Sequence, residues 1–404
     1  MGLTPDLDAE RSPFTGISRN VLYLSVVSLL TDISSEMIYP LVPLFLWSTL
    51  GAPVAIIGVV EGLAETTASL LKGISGALSD RLGRRKPFLL WGYGLAALTK
   101  PLLAVAHAWP VVLAARVLDR FGKGLRGSPR DAMIADSTQT AFRGRAFGFH
   151  RSGDNIGAVC GPLLAIPLLA VFHQNLRSVF LCAFVPGLLS TLLILKVRDS
   201  GRGKKAQNLW EGFHPRSMSP GFRLFLLVAV IFAIGNSSDA FLILRAKQLG
   251  AGTNTVLLMF TLANLVNVLS SYPAGMLSDR WGRKRLLIAG FLIFAAVYYG
   301  FGTAASPFPL WLWFAAYGVY LGLTEGIARA LVVDLVPEAS RGTALGIHAT
   351  ALGLCALPAS LIAGLLWQRF GLAPAFLYGA ATALVSAALF GSLRIEPSRN
   401  PSSV

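Results

Sequence analysis

The chain has 404 residues, of which 54% are apolar and only 14% charged, and its formal net charge is +15. A soluble domain would hold about 25% charged residues, so the composition excludes an ordinary globular protein and indicates one that lives in a bilayer. Three cysteines exclude a disulfide framework: Cys160, Cys182 and Cys355 all fall in apolar stretches, where they pack as small hydrophobes.

The first twenty residues carry Asp6, Asp8 and Glu10 and lack the basic start and short apolar core of a cleavable signal, so none is expected. Twelve apolar stretches follow: Asn20–Trp47, Ala55–Leu78, Phe88–Ala106, Val111–Ala135, Ala146–Phe172, Arg177–Leu195, Phe222–Lys247, Asn254–Leu277, Leu286–Ala304, Pro309–Val333, Ala344–Leu366 and Pro374–Leu393. Each is long enough for a helix across the ~30 Å hydrocarbon core, which takes about 20 residues. The polar, Gly-, Ser- and Pro-containing connection between the sixth and seventh stretches reads as a tether between two halves. The expected organisation is a tail at 1–18, a six-helix bundle at 19–196, a linker at 197–221, a second six-helix bundle at 222–394 and a tail at 395–404.

Basic residues crowd one side of these stretches. Arg81, Arg84, Arg85 and Lys86 follow the second stretch, and Arg280, Arg283, Lys284 and Arg285 follow the eighth. Lys196, Arg198, Arg202, Lys204, Lys205, Arg216 and Arg223 lie in or beside the central connection, whereas the opposite side has only Arg177, Lys247 and Arg369. Under the positive-inside rule this places both termini in the cytoplasm. The charge orients the protein in its membrane, the plasma membrane, and no nucleic-acid partner is expected.

The two halves repeat each other. GALSDRLGRRK from Gly76 returns as GMLSDRWGRKR from Gly275, an offset of 199. The segment Arg143–His150 is echoed by Arg341–His348 at an offset of 198, and Asp136 by Asp334 at the same offset. A near-constant offset marks a half-molecule duplicated in one orientation, the parallel-repeat logic of many transporters.

Nineteen Asp, Glu, Lys and Arg residues lie inside the apolar stretches, leaving aside Arg177, Arg223 and Lys247 at the ends. Each would cost roughly 2.5–3.5 kcal/mol at a lipid-facing midplane position, so they must be paired or face a wet cavity. Asp32 and Glu36 share a face with Pro43, and Glu61, Glu65 and Lys72 fall within about 40° of the helical wheel. Arg116, Asp119, Arg120, Lys123, Arg126, Arg130 and Asp131 occupy about 140° of the fourth stretch. His150, Asp154, Gly157 and Gly161 align in the fifth, Asn236, Asp239 and Arg245 interrupt the seventh, and Glu325 and Arg329 are spaced for an i,i+4 pair. Buried structural ion pairs and lining of a wet pathway are the two readings of these charges. Both stand for Lys72, Lys123, Arg126 and Arg130, which can snorkel; for Asp32, Glu36, Arg116, Asp119, Arg120 and Asp239 function is favoured. Gly157/Gly161 and Gly318/Gly322 are read as close-packing notches.

On these residues the chain resembles the major facilitator superfamily over essentially its whole length. The strongest match is the Gly-x-x-x-Asp-Arg-x-Gly-Arg-Arg/Lys loop, present after both the second and the eighth stretch. The resemblance implies an all-α fold of twelve transmembrane helices in two pseudo-symmetric bundles, with a central cavity opening alternately to each side. It implies that Asp80 meets the amino end of the eleventh helix and that Arg84 pairs with Asp136. By the internal repeat, Asp279 and Arg283 would do the same against the fifth helix and Asp334. Arg85, Lys86 and Lys284 are expected to serve topology alone. Two departures stand out: the family's fourth-helix pattern has an amide and a glycine where Asp119 and Arg120 stand, and Leu163-Leu164-Ala165 replaces the glycine-rich continuation of the drug/proton antiporter motif after Gly157-x-x-x-Gly161-Pro162.

The leading expectation is a proton-coupled exporter of a small organic molecule, with Asp32, Glu36, Glu61, Glu65 and Asp154 as proton sites. Arg116, Asp119, Arg120, Asn236, Asp239, Arg245, Glu325 and Arg329 would line the substrate cavity. Asp80, Arg84, Asp136, Asp279, Arg283 and Asp334 would form the cytoplasmic gate. Proton-coupled uptake of an organic anion and a non-transporting sensor are the alternatives. No metal-spaced His/Cys cluster, phosphate loop or nucleophile elbow is present, so no cofactor and no enzyme activity are expected. The working unit is expected to be a monomer.

Overall fold

A computed structural model describes residues 17–199, 219–337 and 340–393, so most of the expected linker and both tails lie outside the described residues. Within them every regular element is helical. The first half holds α1 (Arg19–Ile38), α2 (Leu41–Leu44), α3 (Val54–Leu82), α4 (Lys86–Ala104), α5 (Trp109–Asp136), α6 (Arg143–Val171) and α7 (Leu176–Leu193). The second holds α8 (Pro220–Gly235), α9 (Ala240–Gln248), α10 (Thr253–Trp281), α11 (Arg283–Thr303), α12 (Leu310–Asp334), α13 (Arg341–Phe370) and α14 (Leu372–Ser392).

Two pairs are broken versions of single long segments. Pro40 and Pro43 interrupt the first, after which the chain runs through α2 into a π turn at Phe45–Thr49; the residues between Gly235 and Ala240 interrupt the seventh. Counting each pair once gives twelve long helical segments. Nine of them, among the described residues, are long and apolar enough to cross a bilayer. The three that fall outside that set are α4, α5 and α12, which carry Lys100, the charged face of α5, and Glu325 with Arg329.

The packing obeys the internal repeat. In the first half α1 lies against α6 and α7, α4 against α5 and α7, and α3 against α5. The second half repeats this with α8 against α13 and α14, α11 against α12 and α14, and α10 against α12. The halves meet through α3 on α13 and through α6 on α10, which exchange under the same repeat.

The contact between halves is confined to one end and the middle. Gly58 of α3 faces the Ser360 carbonyl of α13, Gly62 lies against Leu357, and Gly364 against Ala55. The Thr66 hydroxyl donates to the Gly353 carbonyl at 2.8 Å. Farther along α3, Gly73 has open space around it, as do Gly342 and Gly346 near the start of α13. The molecule is therefore open at the end bearing the repeated loops, here called the loop end, and sealed at the far end by α2, α9 and the first turns of α3.

Candidate functional site

The charged face of α5 is the centre of the site. Arg116 donates from Nε to Oε1 of Glu61 at 3.0 Å and from Nη2 to Oε2, a bidentate pair in which both side chains are nearly fully buried. One turn on, Arg120 pairs with Glu65 at 3.0 Å, and both guanidinium groups lie over the Tyr39 ring at 5.3 and 5.5 Å. Asp119 accepts from Nζ of Lys100 at 2.8 Å, and that lysine, near the carboxyl end of α4, is 1% exposed. Arg130 pairs with Asp131 at 2.9 Å and donates to the Ser28 hydroxyl of α1 at 3.2 Å. Lys123 and Lys72 are exposed toward the opening. Each burial is tolerable because the partner is present: a lone charge in this environment would cost several kcal/mol.

Asp32 and Glu36 contrast with this network. Both are half-buried, and neither has a hydrogen bond or an ion pair among the described residues. The glycines of α6 bring them where they are. A Cβ on Gly157 would stand 2.7 Å from Cβ of Asp32 and 3.0 Å from the Leu29 carbonyl, and one on Gly161 2.7 Å from Cβ of Glu36. The notches thus let α1 press its acidic face onto α6. Gly157→Leu is expected to cost about 1–3 kcal/mol through overpacking of this seam. Thermal unfolding in detergent measures it, and an unchanged midpoint would show that α1 and α6 do not touch there. Asp154, on the same face of α6, is 3.7 Å from His150 and 3.9 Å from Arg151.

In the second half, Asp239 accepts from the Tyr317 hydroxyl at 2.5 Å, and Asn236 donates to the Tyr320 hydroxyl at 3.2 Å. Both sit in the break between α8 and α9, where Tyr298 of α11 donates to the Ser237 carbonyl at 3.2 Å and the Ser238 N–H donates to the Ser360 hydroxyl at 3.2 Å, replacing helical hydrogen bonds. Phe260 of α10 faces Tyr39 across the halves at 5.6 Å. One expected cavity assignment and one expected pairing are corrected. Arg245 lies on α9 near the sealed end and donates to the Phe301 and Ala304 carbonyls at 3.0 and 2.5 Å, so it caps the carboxyl end of α11. Glu325 does not pair with Arg329: both are exposed, and Glu325 instead stands 3.9 Å from Arg151 of the other half.

The loop residues need a further correction. Arg85, not Arg84, pairs with Asp136, and it also reaches Asp80 at 3.3 Å. In the second half Arg283, the sequence equivalent of Arg84, pairs with Asp334 at 2.6 Å and approaches Asp279 at 4.0 Å. The reason is loop length. Gly83 (φ 61°) and Gly282 (φ 89°) both turn the chain through left-handed backbone, but three residues separate α3 from α4 and one separates α10 from α11. The roles in the first half therefore slip by one position. Lys86 and Lys284 follow suit: each donates Nζ to main-chain carbonyls at a helix end, Lys86 to Leu195 at 2.8 Å and Lys284 to Gly391 and Leu393 at 3.1 and 2.6 Å. Neither lysine, nor Arg85, serves topology alone. Among the described residues Asp80 and Asp279 pair only within their own half, as the open loop end requires. Hydrogen–deuterium exchange over residues 83–89 is expected to quicken in Arg85→Ala and stay unchanged in Arg84→Ala. Equal quickening in both would contradict the slipped register.

Sequence reasoning missed Lys100, Tyr39 and Tyr317. Lys100 was legible as a lone cation inside an apolar run beside Pro101, and Tyr39 as the next position on the Asp32–Glu36 face. Among the described residues no cluster of three or more His, Cys, Asp or Glu side chains is placed to hold a metal ion.

Comparison with known proteins agrees with this architecture. The sequence pattern of the Major Facilitator Superfamily matches residues 24–244 and again 224–404. An uncharacterized MFS-type transporter of Methanocaldococcus jannaschii is 34% identical over 381 residues, covering 92% of this chain and 94% of the relative. The multidrug resistance protein MdtH of Aeromonas hydrophila is 25% identical over 337 residues, covering 82% of this chain and 83% of the relative. The crystal structure of the nucleoside transporter NupG superposes with a TM-score of 0.76 at 14% identity, covering 93% of this chain and 99% of that one, a likeness of fold. Two halves packed by one scheme around a charged interior, and a family pattern found once in each half, lead to the same conclusion: the chain is a multi-pass membrane protein that belongs to the Major Facilitator Superfamily, whose members are transporters rather than enzymes.

Proposed function

We propose that this transporter is a proton-coupled exporter of a small organic molecule, working by alternating access in the plasma membrane. In this reading all twelve long segments span the bilayer, the loop end is cytoplasmic, and the structure is open to the cytoplasm. The crowding of Arg and Lys at the loop end supports that orientation.

The observation that carries the proposal is the pair Asp32 and Glu36, two carboxylates with no hydrogen bond or ion pair among the described residues, beside a network in which Glu61, Glu65 and Asp119 are each matched by a cation. Proton coupling needs a carboxyl group whose hold on a proton changes with hydration: desolvation favours the neutral acid and water favours the anion. A site at the seam of α1 and α6, wet when the loop end is open and dry when it closes, has that property. Loading a proton would then alternate with loading substrate.

Export is favoured over anion uptake by the state of the arginines. Arg116 and Arg120 already hold Glu61 and Glu65, so their charge is not free to receive an anionic substrate. The name of the MdtH relative points the same way.

The test begins with a thermal-stability screen of the purified protein against chemically diverse compounds, since a ligand that binds the folded state raises its melting point. A stabilising compound is then followed in proteoliposomes under an imposed pH gradient. Accumulation that reverses when the gradient is reversed is expected. Movement indifferent to the gradient would contradict proton coupling.

A further inference from the structure

One turn of α6 holds a pair that neither the loop contacts nor the α1 carboxylates explain. His150 has 3% of its surface exposed, and neither ring nitrogen has a hydrogen-bond partner. Its Nε2 lies 3.7 Å from Oδ1 of Asp154, an oxygen that is also buried and without a hydrogen bond. Each such orphaned atom costs about 1–3 kcal/mol, so three within a single turn are not a packing optimum. Groups that hand a proton on must stay uncommitted between transfers, and unsatisfied buried atoms in a native fold call for an explanation of this kind.

The internal repeat supplies a control. His348 occupies the equivalent position at an offset of 198, and the residue four places on is Leu352 rather than an acid. Its ring stacks on Phe225 at 5.7 Å with the planes 8° apart. A histidine kept for helix packing would have similar surroundings in both halves. The carboxylate is a feature of the first half.

The rest of the α6 face gives the pair a destination. Gly157 is seated against Asp32 and Gly161 against Glu36. Between positions 150 and 161 the seam of α1 and α6 therefore passes four titratable side chains, over about 16 Å at 1.5 Å per residue. From α5 the charged groups beside this seam are Arg130, which reaches Ser28 of α1, its partner Asp131, Lys123 and Arg126 near Asp32, and Lys123 and Arg120 near Glu36. On α6 itself Arg151 lies 3.9 Å from Asp154 and 3.9 Å from Glu325 of α12. The neighbouring α10 brings the neutral Asn264, which donates to the Ala158 carbonyl.

We infer that His150 is a proton-exchange residue of the carrier, passing protons between water at the loop end and Asp32 by way of Asp154. The inference rests on the proton-coupled reading above. In the export cycle the proton leaves at the loop end: Asp32 gives its proton to the Asp154 carboxylate, and the O–H bond at Oδ1 of that neutral acid then breaks as an N–H bond forms at Nε2 of the neutral ring. Asp154 returns to carboxylate, and the imidazolium releases its proton to water at the loop end. In the intermediate state Arg151 has lost one of its two acidic neighbours and keeps Glu325, which belongs to the other half, so proton position and the contact between halves are linked.

The test is a nitrogen-15 NMR titration of the five histidines in the full chain in lipid nanodiscs, with His150→Gln assigning the signal. Asp154→Asn is expected to weaken the proton affinity of His150 by about ten-fold, one pH unit, and that of His348 by less than about two-fold. Asp32→Asn is expected to move the His150 titration in the same experiment, because the sites share protons. An unmoved His150 in Asp154→Asn, or a His348 that moves as far, would overturn the relay. Asp154→Glu, which displaces the carboxylate while keeping its charge, gives the same reading if the asparagine variant does not fold. Gradient-driven flux with an unmoved His150 defeats the relay alone; a coupled His150–Asp154 pair without driven flux defeats the carrier reading.

Discussion

Arg116→Ala is expected to destabilise the purified protein by about 3–5 kcal/mol, because it strands the Glu61 carboxylate in a dry, low-dielectric interior. The side chains are 3% and 1% exposed, so water cannot reach the orphaned acid. The substitution also removes a cation from the face of Tyr39. The loss belongs to the unmatched charge rather than to the worth of the pair. Replacing both partners, as Glu61→Leu with Arg116→Leu, removes the unmatched charge and is expected to restore most of the stability. Denaturant unfolding in detergent measures both. A double variant as unstable as the single one would mean that the pair stabilises through its own attraction, against this account. Lys100 and Asp119 form the second such pair, and Lys100→Met is expected to behave in the same way.

The second large effect is on transport. Asp32→Asn preserves shape and hydrogen-bonding capacity but cannot carry a proton. Movement of the screened compound under a pH gradient is expected to fall to the level of empty vesicles. Binding of that compound is expected to change by less than about 10-fold, or 1.4 kcal/mol, since the gradient and not the contact is lost. Asp32→Ala is a weaker test, because it keeps the Cβ seated at the Gly157 notch but removes the carboxyl group's volume together with its charge. Wild-type flux in Asp32→Asn would take this residue out of the coupling mechanism.

The fold was largely legible because its signals are long and repeated. Twelve apolar stretches and a loop string recurring at a fixed offset each draw on many residues, and the helices of the structure overlap all twelve stretches. The site was legible at the level of faces. Helical spacing put Asp32 with Glu36, and Arg116 with Asp119 and Arg120, on common sides of their helices. It carried no information on which helix lies opposite, so the partner of Asp119 was invisible until α4 was seen to deliver Lys100.

The errors have a shared physical origin. The letters of the two loops align without a gap, yet three residues separate α3 from α4 while one separates α10 from α11. That backbone difference moves Arg85 into the place that Arg283 takes in the second half. Arg245 was misplaced for a related reason: the letters do not show that the helix restarting at Ala240 carries this side chain to the carboxyl end of α11.

The claim that the two halves rock about the charged interior is tested most directly by pairs of spin labels in nanodiscs, one pair at each end. Leu78 and Met276, both exposed, report on the loop end; Val105 and Phe308, also exposed, report on the far end. Distances measured across pH, with and without a stabilising compound, are expected to change in opposite senses, the loop-end pair closing as the far-end pair separates. Two distances that stay fixed under every condition, or that lengthen together, would contradict alternating access.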